Sequence, residues 1–389
     1  MRSVINILFL LILFSSCFGQ ELRIGVLREL KTTLLTLDKH QGNYTIYGDS
    51  SYKEVMETAR VELHPNGVKL WLPDGTHRIF SRITIVQDTM NSALKIKSIQ
   101  PSSKTHYYKD NFEISNQGNR LLILNLVSME NYLSGVIESE GGGGREKEYY
   151  KVQALISRTY ALKNSDRHSK ENFQLCDGVH CQAYHNMLRH TQNINHAVKE
   201  TANEVLVDAK GDLVTTYFSA NCGGQTCDPS YVWNNSVPYL ETFIDTFCTN
   251  TRQATWTTSI AKAKWKKFIE KEYGVYENEL GDLLYNFEQT QRRAFYIHPS
   301  LGIPLRDLRK KFKLKSTYFN TRLKGEKVII EGSGFGHGVG LCQEGAMNMA
   351  EDGFNYRQIA YFYFSNVRIT DHYGDAFSSQ QESYFDDRN

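Results

Sequence analysis

The sequence has no excess of charge of either sign, with 45 Lys and Arg side chains against 43 Asp and Glu side chains in 389 residues. A chain this close to neutral gives no electrostatic case for nucleic acid or an anionic membrane as a partner. Beyond its first residues it also lacks an apolar run long enough to cross a bilayer, so no transmembrane span is predicted. We find no internal repeat.

Common catalytic patterns are missing as well. No order of Ser, His and Asp matches a known nucleophile motif, so a hydrolase triad has little support. The glycine-rich stretch Gly332–Gly340 lacks the lysine and hydroxyl that follow a phosphate loop, and its spacing does not fit the dinucleotide fingerprint. Neither of these nucleotide sites is therefore predicted here.

Residues 1–19 are typical of an export signal. Arg2 gives a positive start, the run Ile5–Phe14 is almost wholly apolar, and small or polar residues follow it at Ser15, Ser16 and Gly19. The segment is too short to span a bilayer. We therefore expect the mature chain to be exported and to work outside the cytoplasm, in the periplasm or cell envelope.

Two forms of processing are compatible with this signal. Cleavage after Gly19 would release a soluble protein, whereas the segment Phe14–Cys17 resembles a bacterial lipoprotein site that would leave Cys17 lipid-anchored. We favour cleavage and release, because Phe14 stands where the lipoprotein pattern usually has leucine.

The length exceeds that of one typical hydrophobic core, so we expect two intimately packed subdomains. Short β-type runs separated by turn signals recur between Leu22 and Phe80, and the apolar run Leu121–Val127 predicts a buried strand. Helical periodicity appears later, at about 191–205 and at 257–273, and a closing helix is expected at 355–365. A strand is predicted at 213–220, a strand pair around 322–331 and a last strand at 367–369. The predicted fold class is α+β, with mixed, mainly antiparallel sheets and several packed helices.

The stretch Met129–Asn164 combines an apolar segment, four glycines and an amphipathic helix. Val152, Leu155 and Ile156 stand at helical spacing in its second half. The glycines at 141–144 cannot continue a helix or a strand unaided, because they lose too much backbone entropy. Glu140 therefore lies at a hinge, where it is either a working acid or an ordinary loop glutamate.

Glycine stands at every second position from Gly332 to Gly340. In an extended segment this pattern leaves one face bare and places Phe335, His337 and Val339 on the other. The bare face predicts the close approach of another backbone or of a ligand. From the residues alone, His337 is equally a binding residue or a structural histidine, and Gln343 lies in a polar cluster just beyond it.

A short loop contains Cys176, His180 and Cys181, and His168 precedes it. Thiolate and imidazole groups at this spacing suit tetrahedral zinc, although the spacing is not that of a common zinc module. In an exported protein, Cys176 and Cys181 can instead form a disulfide. The cysteines at 222, 227, 248 and 342 remain, an even number that permits three pairings.

Several motifs, in order, resemble those of the sporulation stage II protein D (SpoIID)/LytB amidase-enhancer family of bacterial cell-wall remodelling proteins. The matching segments are Glu130–Glu140 (ENYLSGVIESE), Lys151–Ala161 (KVQALISRTYA), Cys176–Tyr184 (CDGVHCQAY), Ser219–Thr226 (SANCGGQT), Val232–Trp233, Arg309–Phe319 and Gly334–Ala346 (GFGHGVGLCQEGA). The resemblance extends over nearly all of the mature chain.

The resemblance implies an exported lytic transglycosylase that cleaves peptidoglycan glycan strands, preferably strands without stem peptides. Glu140 aligns with the family's catalytic glutamate. It also implies a structural zinc site formed by His168, Cys176, His180 and Cys181. The substrate-binding residues implied by the matched motifs are Arg158, Ser219, Gly223, Gly224, Thr226, His337 and Gln343.

An alternative is a non-catalytic module that binds glycan and enhances a cell-wall amidase, and such an amidase is a possible partner under either reading. The corresponding domain prediction is a signal peptide at 1–19, an N-terminal β-rich part at 20–128, a catalytic core at 129–370 and a disordered tail at 371–389.

Two departures from the family pattern affect these expectations. The family usually has Met-Pro and a Trp-Pro pair after its glutamate, where this chain has Gly141–Lys147 (GGGGREK). Cys342 replaces the serine that is common in the last motif, and it is either a free thiol or a disulfide partner. The first departure bears on loop rigidity and substrate contacts.

Overall fold

The structure is a computed structural model that describes residues 21–49, 51–72, 74–185 and 192–371. The predicted export signal, with Cys17, and nearly all of the predicted disordered tail lie outside the described residues.

Within these ranges the chain forms a β-rich N-terminal part followed by a mixed part. The strands are β1 Glu21–Gly25, β2 Leu34–Gln41, β3 Tyr44–Tyr47, β4 Lys53–Met56, β5 Thr58–His64, β6 Gly67–Trp71, β7 His77–Phe80, β8 Arg82–Gln87, β9 Ala93–Gln100, β10 His106–Lys109, β11 Asn111–Asn116, β12 Leu121–Ser128, β13 Leu175–Cys176, β14 Val205–Val207, β15 Phe218–Ser219, β16 Thr255–Ala261, β17 Phe319–Lys324, β18 Lys327–Ser333, β19 Leu341–Cys342 and β20 Arg368–Thr370. The helices are α1 Met129–Gly141, α2 Lys147–Lys163, α3 Gln192–Glu200, α4 Ser230–Trp233, α5 Lys262–Tyr273, α6 Glu277–Leu280, α7 Leu305–Phe312, α8 Gln343–Glu351 and α9 Tyr356–Tyr363.

Two large sheets form the β-rich part. One has seven strands in the order β13-β1-β12-β11-β8-β3-β4, and the other has six in the order β10-β9-β2-β5-β6-β7. Pairing within them is antiparallel except between β1 and β13. Together with the helices, this arrangement confirms the predicted α+β fold class with mainly antiparallel sheets.

Strand β12 leads directly into helix α1, which carries Glu140. The predicted strand at 121–127 is confirmed, and it pairs with β1 and β11 on its two sides. The Ser128 side chain accepts a hydrogen bond from the Asn131 amide at 3.3 Å and so caps the first turn of α1. The helix ends where Gly142 adopts a φ of 67°, which a residue without a Cβ tolerates.

Helices α1 and α2 are held by apolar faces that pack inward. In α1 the buried side chains include Tyr132, Leu133 and Val136, and in α2 nearly every residue from Tyr149 to Leu162 is buried. Gly135 allows the Tyr184 ring to approach α1, because an added Cβ would lie 2.4 Å from that ring. This contact fixes the segment that follows the cysteine loop against α1.

Buried apolar residues form two clusters. The first contains residues of both large sheets and of α1, α2, α8 and α9, and it runs from Leu22 to Phe364. The second lies between Trp256 and Ile330 and surrounds the three-stranded sheet β16-β18-β17. The first cluster includes residues on both sides of the predicted boundary at 128, so that boundary does not separate the two clusters.

Four local predictions need correction. The predicted helix at 257–273 begins only at Lys262, because residues 255–261 pair with β18 as strand β16. The helix predicted at 191–205 is α3, which ends at Glu200 before β14. Only Phe218 and Ser219 of the strand predicted at 213–220 are in a strand. Beyond Ser333, the alternating-glycine stretch is a loop.

Other local predictions are confirmed. The strand pair expected around 322–331 is β17 and β18. The closing helix is α9, whose first turn is capped by the Asn355 side chain, and the last strand is β20. In the part of the chain described, no helix combines the length and the apolar character needed to cross a bilayer.

Candidate active site

Glu140 lies in the last turn of α1 and is half-buried. One carboxylate oxygen, Oε1, accepts a hydrogen bond from the Ala183 amide at 3.0 Å. Among the described residues no Lys, Arg or His forms an ion pair with it. Within the described ranges, the carboxyl group is thus held by a neutral donor.

The pKa of Glu140 is raised above the ordinary glutamate value of 4.5, chiefly because burial disfavours the charged form, while the Ala183 hydrogen bond partly opposes this shift. A carboxyl group in this state keeps its proton to a higher pH than an exposed one. It can therefore donate a proton and afterwards accept one, as a general acid and base must.

Tyr149, in the first turns of α2, is a second polar group beside the acid. Among the described residues its buried hydroxyl has no hydrogen-bond partner, and an added Cβ on Gly141 would lie 2.8 Å from the hydroxyl oxygen. Burial, and then the charge of Glu140, raises the Tyr149 pKa. Burying a donor without a partner costs free energy, so this hydroxyl adds to the apolar, neutral surroundings of the acid.

The segment Gln182–His185 ties the acid to the cysteine loop. Besides the bond from Ala183 to Glu140, the His185 amide donates to Ser139 Oγ at 3.0 Å, and the Tyr132 hydroxyl donates to Gln182 Oε1 at 3.1 Å. The segment begins directly after Cys181. The position of the carboxyl group therefore depends on the conformation of the loop.

The four predicted metal ligands lie together. Their ligand atoms are all within 4.8 Å of one another. Cys181 Sγ is 3.5 Å from His168 Nε2 and 3.7 Å from His180 Nδ1, and Cys176 Sγ is 3.8 Å from His180 Nδ1. Tetrahedral zinc with ordinary bond lengths would place sulfur and nitrogen ligands about 3.6 Å apart. The residues thus fit a zinc ion.

The surroundings of His168 also suit a ligand histidine. Its other ring nitrogen, Nδ1, lies 2.9 Å from Glu171 Oε1, and the Arg28 guanidinium binds the same carboxylate at 2.6 Å. Histidine ligands usually donate their second nitrogen to a carboxylate in this way, which fixes the ring orientation. Both Cys176 and Cys181 are free thiols in the structure.

The glycine-rich loop Gly334–Gly340 packs against the backbone of residues 217–223. All four glycines of the loop have positive φ, so the expected extended strand does not form. An added Cβ on Gly340 would lie 2.1 Å from the Tyr217 carbonyl oxygen, and one on Gly334 would lie 2.6 Å from the Asn221 carbonyl oxygen. The close approach predicted from the glycines is thus that of another backbone.

Three of the predicted substrate-binding residues meet at this contact. Ser219 Oγ accepts a hydrogen bond from the Gly338 amide at 3.2 Å, and an added Cβ on Gly223 would lie 2.9 Å from the Gly334 nitrogen. His337 lies in the same loop and accepts the Val339 amide through Nδ1 at 3.0 Å. Their role in substrate binding stays a prediction.

His337 is held in its neutral form. Burial of most of the ring, together with the charges of Arg309 and Arg292, lowers its pKa to about 3. The residue as a whole is nevertheless only half-buried. A neutral imidazole at the surface can exchange hydrogen bonds with hydroxyl groups without attracting anions.

Two other predicted substrate-binding residues use their side chains to bind backbone carbonyl groups inside the fold. Arg158 is 3% exposed and donates to the carbonyls of Glu204 and Val198, at 3.1 and 3.3 Å, so its guanidinium lies inside the fold. The Thr226 hydroxyl donates to the Glu241 carbonyl at 2.9 Å. The structure does not bring these groups to Glu140.

Gly224 and Gln343 occupy tight positions. Gly224 has a φ of 92° and accepts the Asp245 amide at 3.0 Å through its carbonyl oxygen. Gln343, at the start of α8, is buried, and its Nε2 has no hydrogen-bond partner.

An aromatic surface beside the glycine-rich loop is not apparent from the sequence. The rings of Tyr217 and Trp233 stack with centroids 4.1 Å apart, and the His337 ring packs edge-on against Trp233 at 5.2 Å. Trp233 is 41% exposed. Exposed stacked rings can bind the faces of sugars. The pair is 16 residues apart in sequence, so only the fold unites it.

Comparisons with known proteins identify sequence relatives of this chain. The profile of the family described as "SpoIID: Stage II sporulation protein" matches residues 117–207. An uncharacterized protein of Brachyspira hyodysenteriae is 30% identical over 260 residues, which cover 65% of this chain and 69% of that protein.

Two relatives with informative names are more distant. The amidase enhancer of Bacillus subtilis is 26% identical over 293 residues, covering 61% of this chain and 40% of that protein. Stage II sporulation protein D of Bacillus amyloliquefaciens is 26% identical over 271 residues, covering 65% and 77%.

The fold and the site define an α+β protein with a half-buried carboxylic acid beside a cluster of thiols and imidazoles. The chain belongs to the stage II sporulation protein D and amidase-enhancer family, as its motifs predict. Its function is accordingly related to the bacterial cell wall.

Proposed function

We propose that the protein is an exported peptidoglycan lytic transglycosylase in which Glu140 is the single general acid and base. The observation that supports this most directly is the raised pKa of a carboxyl group that has a neutral hydrogen-bond donor and no ion-pair partner among the described residues. A binding module does not require such a group.

The reaction needs only one carboxyl group. Protonated Glu140 gives its proton to the glycosidic oxygen between N-acetylmuramic acid and N-acetylglucosamine as that bond breaks. The resulting carboxylate then takes the proton of the C6 hydroxyl of the muramic acid residue, whose oxygen closes a 1,6-anhydro ring on C1. Because the nucleophile belongs to the substrate, the second carboxylate of glycoside hydrolases is not needed.

One surface of the protein is suited to a sugar substrate. The stacked rings of Tyr217 and Trp233, of which Trp233 is exposed, can hold a sugar face. This contact suits glycan strands without stem peptides, since a bare sugar face lies flat on an aromatic ring.

A zinc ion held by His168, Cys176, His180 and Cys181 would have four protein ligands and therefore a structural task. The ion would cross-link the cysteine loop rigidly. The segment Gln182–His185, which follows the loop, presents the Ala183 amide to Glu140.

The second candidate is a non-catalytic enhancer of a cell-wall amidase. The name of one relative, the amidase enhancer, favours it, and the exposed Trp233 offers a surface for a glycan or a partner. In this case an amidase would be the partner, and Glu140 would have no proton to transfer.

The test of catalysis uses denuded glycan strands and mass spectrometry of the products. The wild type should release 1,6-anhydro products, and Glu140→Gln should reduce their rate by at least about 1,000-fold, since the amide cannot transfer a proton. Glu146→Gln is the matched control, because Glu146 is an exposed carboxylate in the following loop. Absence of anhydro products from the wild type, or an active Glu140→Gln variant, would refute the enzyme.

The test of the enhancer measures the rate of a purified cell-wall amidase on intact peptidoglycan. If binding alone is the function, Glu140→Gln should stimulate the amidase as well as the wild type does, whereas Trp233→Ala should not. Loss of stimulation with Glu140→Gln would count against this second candidate.

A further inference from the structure

Four side chains from three separate segments converge at a second point of the first hydrophobic cluster. They are Cys222, Asp245, Cys248 and Cys342, and their ligand atoms all lie within 4.8 Å of one another. All four are fully buried, with 0% exposure. We call this set the Cys3Asp cluster.

We propose that the Cys3Asp cluster is a second, structural zinc site. The set offers three thiolate sulfurs and one carboxylate oxygen, which is a complete tetrahedral donor set for Zn²⁺. Thiolate-rich donors select zinc over magnesium or calcium, which prefer oxygen ligands. Since all four positions are taken by the protein, the site has no open position for catalysis.

The distances agree with a bound ion. Cys222 Sγ lies 3.4 Å from Cys248 Sγ and 3.2 Å from Asp245 Oδ2. Tetrahedral zinc would place two sulfurs about 3.8 Å apart, and a sulfur and an oxygen about 3.5 Å apart. Side chains that shift by a few tenths of an ångström would meet both values.

The burial of the carboxylate is a second and independent observation. No Lys, Arg or His among the described residues forms an ion pair with Asp245, although it is completely buried. A buried carboxylate without a cation is unfavourable, and it is usually paired or bound to a metal. A divalent ion between Asp245 and the three thiols would supply the missing positive charge.

The groups around the cluster hold its ligands in place. The Tyr363 hydroxyl donates to Asp245 Oδ2 at 2.9 Å, and the Phe247 amide donates to Oδ1 at 3.0 Å. The Cys222 amide donates to Cys342 Sγ at 3.2 Å. Such outer contacts orient carboxylate ligands and stabilise thiolates in metal sites.

Helix α8 is shaped to admit the carboxylate. An added Cβ on Gly345 would lie 2.8 Å from Asp245 Oδ2 and 2.3 Å from the Tyr363 hydroxyl. A residue with a side chain would therefore displace one of them. The absence of a Cβ here keeps the Asp245 carboxylate beside the sulfurs.

A zinc ion here would cross-link the loop after β15, the turn at 245–248 and the start of α8. Ser219 at the end of β15 and Gly223 in the loop after it contact the glycine-rich loop. The ion would therefore hold the contact between these two loops, and it would do so whether or not Glu140 is catalytic.

Metal analysis of the full chain purified without added metal tests the proposal. The double variant Cys248→Ser/Cys342→Ser should contain about one zinc per chain less than the wild type. Cys227→Ser is the matched control and should lose none, because Cys227 is equally buried but lies outside the cluster. Equal zinc in the wild type and the double variant would overturn the proposal.

Cobalt binding keeps the test decisive if that double variant does not fold. In the Cys176→Ser/Cys181→Ser background, which removes the first candidate site, Co²⁺ should still give the intense thiolate charge-transfer and visible bands of tetrahedral coordination. In the same background, the four cysteines that remain after the predicted signal peptide, at 222, 227, 248 and 342, should all titrate as thiols after denaturation without reductant. Two thiols and no cobalt bands would show a disulfide and refute the site.

Discussion

Burial raises the pKa of Glu140 above the ordinary glutamate value, although α1 presents this residue at the beginning of an exposed loop. A single amide, from Ala183, favours the charged form. Burial favours the protonated carboxyl group and the Ala183 hydrogen bond favours the carboxylate, so the two effects on the pKa oppose each other. That balance suits a residue that must first donate and then accept a proton.

The cleavage rate should fall as the pH rises through the raised pKa of Glu140, because only the protonated carboxyl group can protonate the glycosidic oxygen. The alkaline limb of kcat/KM should lie above pH 4.5, the ordinary glutamate value. Steady-state rates on denuded glycan over a range of pH measure it, with Glu146→Gln as control. A limb at the ordinary value would contradict the effect of burial.

The same shift affects stability in a direction that can be measured separately. Because the folded pKa is above the unfolded one, the contribution of Glu140 to stability is complete below the unfolded pKa and is lost as the pH rises through the folded pKa. The wild type should therefore lose this stability as the pH rises between the two pKa values, whereas Glu140→Gln should not. The difference in free energy of unfolding between the two, measured by denaturant unfolding at several pH values, should shift in favour of Glu140→Gln over this range.

The residues that could be predicted are those with local signals. Glu140 and the ligands from Cys176 to Cys181 stand in compact motifs, and His168 is only eight residues before Cys176. The buried state of Arg158, the free hydroxyl of Tyr149 and the place of Asp245 in a cluster depend on contacts between distant segments. No local pattern reports those contacts.

At the scale of elements, the glycine-rich loop and the backbone of residues 217–223 form one interlocked unit. Strand β15 pairs in parallel with β19, and the bridge between Asn221 and Phe335 extends the contact. Gly334 and Gly340 are required by sterics at this contact, because neighbouring carbonyl oxygens occupy the space of a Cβ.

Gly340→Ala should reduce the free energy of unfolding by more than about 2 kcal/mol, since the methyl group would meet the Tyr217 carbonyl at a residue with positive φ. Gly353→Ala is the control. It has a φ of 90° but open space around it, so it should lose only about 1 kcal/mol. Equal losses in urea unfolding would mean that the close contact does not matter.

The errors in element prediction have a common cause. Residues 257–261 fit a helical period, but their pairing with β18 decides their conformation. Between Gly332 and Gly340 the alternation of glycine imitates a strand, whereas each loop glycine uses its freedom to adopt positive φ. Strands and helices with strong apolar runs, such as β12 and α2, were predictable because burial and local pattern agree there.

At the scale of the whole molecule, the two hydrophobic clusters differ in how they are reinforced. Both candidate zinc sites contribute their cysteines to the first cluster. The second cluster depends on apolar packing around Trp265, which stacks on Phe312 at 5.0 Å. Removal of metal should therefore affect the two clusters unequally.

A strong chelator should lower the melting temperature of the first cluster by about 5 °C or more, because structural zinc contributes folding free energy directly. The transition of the second cluster should not move. Calorimetry can separate the two unfolding transitions. Trp265→Leu identifies the transition of the second cluster, because it should reduce the free energy of unfolding of that cluster by roughly 3 kcal/mol. No effect of the chelator on either transition would exclude structural metal.

The loop that follows Glu140 has room for other side chains. Gly142 and Gly144 have open space around them, and residues 143–146 are exposed. The acid itself is held from the opposite side, by the segment after the cysteine loop. Insertions and substitutions in this loop can therefore be accommodated without moving the carboxyl group, so the surface around Glu140 can be altered separately from its position.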